Sequence, residues 1–105
     1  MKPKSTTKAA RLPLIPPGQI LIEEFLRPMG ITQYRLAVVT GLPHSRVTAI
    51  IKGERGITAD TAMRFSKALG TSAEFWLNLQ SRYDLEKIMR GDESTYANIE
   101  RLVTA

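Results

Sequence analysis

The 105-residue chain has room for one domain with a single modest core, and 43 % hydrophobic residues give it the make-up of a globular rather than a disordered protein. Cysteine is absent, which excludes a disulfide framework and thiolate metal sites, and no apolar run approaches the roughly 18 residues of a membrane span. The formal charge of +5 is unevenly spread: residues 1–16 carry Lys2, Lys4, Lys8 and Arg11 without an acid, and residues 32–56 set Arg35, Arg46, Lys52 and Arg55 against Glu54. From Thr71 onward six acids outweigh four bases. A segregated basic half is what a polyanion-binding surface requires, because neutralised phosphates release counterions; the competing explanation is a solvated basic surface.

Residues 1–16 mix bases, Ser/Thr and prolines without periodicity and are expected to form a basic arm. They lack the apolar core of a signal peptide, so the expected location is cytoplasmic. The first predicted helix reads GQILIEEFLRPM, with Ile22, Phe25, Leu26 and Met29 at helical spacing, Glu23 and Glu24 favoured by the helix dipole, and Pro28 and Gly30 as terminators. Thr32 is the expected N-cap of a second helix, TQYRLAVVT, whose Leu36, Ala37 and Val39 form a short apolar face, and Gly41 supplies a turn. A third helix runs from about Pro43 to Lys52, closed by Gly53. A fourth starts near Thr58, with Ala62, Phe65 and Leu69 on one face, and stops at Gly70. Thr71 and Glu74 have the spacing of a capping box for a long fifth helix reaching Gly91. No segment shows sustained β alternation. The expected fold is therefore all-α: a five-helix domain over residues 17–91, with residues 92–105 as a tail or short sixth helix.

Wound at about 100° per residue, the third helix puts Val47, Ile50 and Ile51 on one side. Its other side is centred on Ser45, Thr48, Ala49 and Lys52 and flanked by His44 and Arg46. Small or hydrogen-bonding groups in the middle and cations at the margin suit a helix that lies in a major groove about 12 Å wide. Gln33, Leu36, Ala37, Gly41, Leu42, Val47 and Ile50 stand at the spacing of a helix-turn-helix: Ala37 lets two helices cross closely, Gly41 makes the tight turn, and the larger apolar groups fill the angle. Gln33 and Lys52 would then both lie beside a strand backbone.

Other constellations point away from catalysis. His44 is the sole histidine and has no partner for acid–base or metal chemistry, and Ser45 has no Asp or second His nearby. Glu23 and Glu24 are adjacent and diverge on a helix, and Trp76 is expected in the core. No enzyme activity, metal or cofactor is expected. The fifth helix is too apolar for one buried face: Phe75, Trp76, Leu79 and Tyr83 make one stripe, and Leu77, Leu85, Ile88 and Met89 a second. The second stripe reads as a homodimer seam, in line with two-fold docking on paired half-sites; otherwise the tail from Tyr96 to Val103 would fold back over it.

The segments PPGQILIEEFLRPMGITQYRLA and RGITADTAMRFSKALGTSAEFWLNLQSRYDLE make residues 16–90 resemble the HigA-type antitoxins, or plasmid maintenance antidotes, of the Cro/cI-like helix-turn-helix group. The resemblance implies a repressor that binds its own operator DNA and silences a cognate toxin, a small mRNA-cleaving RNase. It also implies phosphate contacts for Gln33 and Lys52, base-reading positions for Pro43, His44, Ser45 and Ala49, and a backbone or edge contact for Arg46. Pro43 departs from the family, where a Ser or Thr caps the recognition helix. Ala49 can offer a base only a methyl contact. A phage-type or restriction-controller regulator without a toxin, and a helical protein-interaction module, are the alternatives the sequence leaves open.

Overall fold

A computed structural model describes residues 13–91 and 94–104; the basic stretch 1–12 lies outside the described residues, as do Asp92, Glu93 and Ala105. All regular structure among the described residues is helical. The first helix, α1, is built of three consecutive pieces: an α-helical turn Pro17–Ile20, a π-helical stretch Leu21–Leu26 and a last turn Arg27–Met29. It is followed by α2 (Gln33–Thr40), α3 (His44–Ile51), α4 (Ala59–Leu69), the long α5 (Ala73–Arg90) and a single turn, α6 (Ser94–Ala97).

The π-helical stretch changes which residues of α1 face inward. The Arg27 N–H reaches back five residues to the Ile22 carbonyl, and this widening sits just before Pro28, whose ring would press on the Glu24 carbonyl in a regular α-helix. The helix therefore continues through Pro28 instead of ending there, and stops at Gly30, which adopts φ 67°. Leu21 and Leu26, five residues apart, are both buried, whereas Met29 is exposed. A 3.6-residue period counts Met29 in and leaves Leu21 out.

Two further local expectations are corrected. In α2 the buried residues are Leu36, Ala37 and Thr40, with Val39 turned outward. The Thr40 hydroxyl tolerates burial because it donates to the Leu36 carbonyl at 2.7 Å. In α5 the cap is Ser72, whose hydroxyl accepts from the Phe75 N–H at 3.0 Å, so Thr71 and Glu74 do not form a capping box. The Thr71 hydroxyl instead accepts from the indole N–H of Trp76 at 2.7 Å, satisfying the one polar atom of a fully buried ring.

Trp76 centres the core. Phe25, Phe65 and Phe75 surround it at centroid distances of 5.2, 5.4 and 4.9 Å, which ties α1, α4 and α5 together. Leu21, Leu26, Leu36, Ala37, Leu42, Val47, Ile50, Ile57 and Ala62 complete the buried cluster, so the inner faces of α2 and α3 rest on the same core. Along α5, Leu77 is half-buried, with its inner edge packed against that core. Leu85, Ile88 and Met89 are exposed at 57, 45 and 59 %. Tyr96, Ile99, Leu102 and Val103 are themselves more than half exposed, so the described tail does not cover those three.

Candidate nucleic-acid interface

The residues around Gly41 place one short helix across another. Thr32 caps α2 by accepting from the Arg35 N–H at 3.0 Å, which sets Gln33 as the first helical residue. At the other end Gly41 takes φ 75°, and both its N–H and that of Leu42 reach the Ala37 carbonyl, at 2.9 and 3.1 Å. The chain turns there, Leu42 enters the core, and α3 begins two residues later. Pro43 occupies the N-cap position of α3 in extended geometry (φ −61°, ψ 143°) and makes no side-chain capping bond, as its chemistry requires. At the far end Lys52 is the C-cap, and the Glu54 N–H closes the turn on the Ala49 carbonyl at 2.9 Å.

Val47 and Ile50 are only 0 and 1 % exposed and Ile51 is half-buried, so α3 is pinned along one side. Pro43, His44, Ser45 and Lys52 are exposed on the other; Arg46, Thr48 and Ala49 are half-buried between the two. Gln33 and Thr48 meet: the threonine hydroxyl donates to the Gln33 side-chain oxygen at 3.1 Å. That bond leaves the Gln33 amide as the donor end and gives Thr48 a partner inside the protein.

Three contacts absent from the sequence reading hold this pair of helices. Gly18 of α1 packs so closely on α3 that a Cβ there would overlap the Ile50 carbonyl. The Arg64 guanidinium, itself paired with Asp60 at 2.8 Å, reaches across from α4 and donates to the Thr40 carbonyl at 2.7 Å. This satisfies a carbonyl at the end of α2 with a charge of the sign the helix dipole favours. The Gln80 side chain of α5 accepts from the Ile57 N–H at 2.8 Å and donates to Asp84 at 3.0 Å, which fixes the loop after α3. Only spatial neighbourhood identifies these residues; their spacing in the chain carries no signal. Tyr34, also unassigned by sequence, lies beside His44.

The charges on this side are not spent on acids among the described residues. The ion pairs among the described residues, Glu23–Arg27, Asp60–Arg64 and Glu86–Arg90, all lie within single helices and none uses Arg35, Arg46, Lys52 or Arg55. Pro16, where the chain emerges from the basic stretch, lies beside Gly53, just past Lys52: a Cβ at Gly53 would touch the Pro16 ring at 3.4 Å. No group of three or more His, Asp or Glu side chains that could hold a metal occurs among the described residues, and none of their helices is long and apolar enough to cross a membrane.

A short helix crossing a second through a glycine turn, with an inner apolar side and an outer side of small and cationic groups, defines a helix-turn-helix protein. Comparison with known proteins agrees: the helix-turn-helix family matches residues 22–76. The chain is 43 % identical to virulence-associated protein I of Dichelobacter nodosus, over 79 % of this chain and 77 % of the relative. Among solved structures it is similar to the Pseudomonas aeruginosa antitoxin HigA with the higBA promoter, with 37 % identity and a TM-score of 0.78 over 87 % of this chain and all of that one. It is also similar to the antitoxin GraA in complex with its operator, with 37 % identity and a TM-score of 0.80 over 89 % of this chain and 95 % of GraA. The chain belongs to the helix-turn-helix family and, within it, to the HigA-type antitoxins.

Proposed function

We propose that this protein is the DNA-binding antitoxin of a two-component module, acting in the cytoplasm by binding rather than by catalysis. It represses its own operon as a homodimer and neutralises a cognate toxin, an RNase by the family resemblance. The observation that carries the DNA-binding part is the outer side of α3, where the small Ser45 and Ala49 let a duplex approach while Lys52 and Arg46 form no ion pair with the described residues. In this reading α3 lies in the major groove. His44, Ser45 and Arg46 supply the hydrogen bonds, Pro43 and Ala49 give apolar contact, and Gln33 and Lys52 meet phosphates on either side. Thr48 aims that amide, a role supported by its hydrogen bond to the Gln33 side-chain oxygen. The basic arm of residues 1–16 adds sequence-independent attraction, because Pro16 leaves the domain of residues 17–91 beside Gly53. Leu85, Ile88 and Met89, exposed along the end of α5, supply the two-fold seam, with Leu77 contributing only its outer edge. The toxin is expected on the surfaces that the duplex leaves open, including the tail from residue 92 to 105.

A gel-shift titration on the DNA upstream of the gene tests this. Arg46→Ala and Lys52→Ala are expected to weaken binding, and Lys52→Ala to flatten the dependence of log K on log salt by roughly one unit, the contribution of one phosphate. Unchanged affinity in both variants would place the duplex elsewhere. Co-purification of the neighbouring gene product with the untagged chain tests the toxin, and a chain that retains no such product would limit the proposal to repression.

A further inference from the structure

Tyr34 is the second residue of α2 and its side chain is 67 % exposed, so burial does not explain a ring of that size at the rim of α3. Nor does helix propensity, in which an aromatic residue ranks below Glu, Gln, Lys or Arg. What it touches is His44, the first residue of α3. The two rings meet edge to face, with centroids 6.0 Å apart and planes at 74°, the arrangement that ring quadrupoles favour. Among the described residues His44 has no other anchor: Pro43 before it carries no polar side-chain group, and the imidazole makes no hydrogen bond or ion pair with them. An exposed imidazole with both side-chain torsions free loses that freedom when it docks on a base edge, and the loss subtracts from binding. A ring already held against tyrosine has less to lose.

We propose that Tyr34 is a positioning residue for sequence recognition. Its edge-to-face contact holds His44 in the attitude in which the imidazole reads a base pair, so preference at that base pair depends on a side chain that makes no base contact itself. The inference rests on the DNA-binding reading given above and adds to it a residue on α2.

Selection from a randomised duplex library gives the base preference of wild type, Tyr34→Phe, Tyr34→Ala, His44→Ala and the double alanine variant. Tyr34→Ala is expected to flatten the same base-pair position that His44→Ala flattens, by about two- to tenfold in discrimination, the size of an aromatic-pair contribution. Tyr34→Phe keeps the ring and should keep the preference, and the double variant should match His44→Ala alone. Tyr34→Ala and His44→Ala lose the same ring contact, so their melting temperatures should fall by a similar few degrees and stay well above the assay temperature, which separates the effect from unfolding. A Phe variant as impaired as the Ala variant would mean that the hydroxyl contacts DNA directly, and would overturn the proposal. So would additive losses in the double variant, or an unaltered Tyr34→Ala profile. A wild-type protein that selects no sequence at all would overturn the DNA-binding reading first, and this proposal with it.

Discussion

Gly18→Ala is the substitution whose sign is least obvious from sequence. Gly18 lies in the first turn of α1 with no unusual backbone torsion, and there replacing glycine by alanine ordinarily stabilises by about 0.5–1 kcal/mol through helix propensity and the unfolded chain's entropy. Against that, the added methyl would overlap the Ile50 carbonyl oxygen and come within 2.6 Å of the Ile50 carbonyl carbon and the Ile51 Cα. All three atoms are backbone, so no side chain can rotate away and α1 must withdraw from α3. Overpacking costs roughly 1–3 kcal/mol where side chains can adjust, and a backbone neighbour puts this site at the upper end. The net expectation is a loss of about 2 kcal/mol, which for a domain of this size lowers Tm by about 8–16 °C. Thermal unfolding followed by circular dichroism measures it. A variant that melts at or above the wild-type temperature would mean that the close approach of α1 to α3 does not exist.

Other expectations concern the supports around the same helix. Thr48→Val removes the hydroxyl that holds Gln33 and should weaken operator binding by about two- to tenfold, the worth of one hydrogen bond; Gln33→Ala added to it should cost little more, as a double-mutant cycle in gel shifts would show. Arg64→Met leaves the Thr40 carbonyl without its donor; discounted for the guanidinium's partial exposure, the loss is about 1 kcal/mol, a fall in Tm of about 4–8 °C. Ile88→Asp places a charge on the exposed end of α5 and should convert a dimer to a monomer by sedimentation analysis while leaving the helical content intact.

The helical class and the helix-turn-helix were legible because each rests on local rules. Thr32, Thr58 and the left-handed glycines at 30, 41 and 70 act within one turn of their own position, and the buried pair Val47 and Ile50 follows from the winding of α3 alone. The misreadings share a cause: a hydrogen bond or helical irregularity, close by in the chain, that the spacing of apolar residues at 3.6 per turn does not encode. Thr71 and Ser72 are both good caps, and Ser72 takes the role because the Thr71 hydroxyl is claimed by the indole of Trp76. Leu21 falls outside the face drawn at 3.6 residues per turn because the π-helical turn before Pro28 changes the period that assigns residues to faces. Val39 lost its place to Thr40, whose hydroxyl finds its acceptor within α2 and so removes the penalty that made threonine look like a surface residue. At the interface, the outward set from Pro43 to Lys52 could be listed from α3 alone, but the links Gln33–Thr48 and Tyr34–His44 span the turn and require the crossing angle.

That division bears on how the reading helix is held. With eight residues, α3 is too short to be stable alone, and its N-cap is a proline whose side chain offers the first-turn N–H groups no acceptor. Its position is therefore set from outside: beneath by Val47 and Ile50 in the core, along its back by Gly18 of α1, at the preceding turn by Arg64 on the Thr40 carbonyl, and after its C-terminus by Gln80 on the Ile57 N–H. Three of those four supports come from helices that carry no base-reading residue. A base-reading side chain can then be exchanged without moving the helix that carries it, whereas a change at Gly18 or Arg64 should disturb every contact together. Affinity losses at His44 or Ser45 should accordingly fall on single base pairs, and losses at Gly18 or Arg64 should spread across the whole operator in proportion to the fall in Tm.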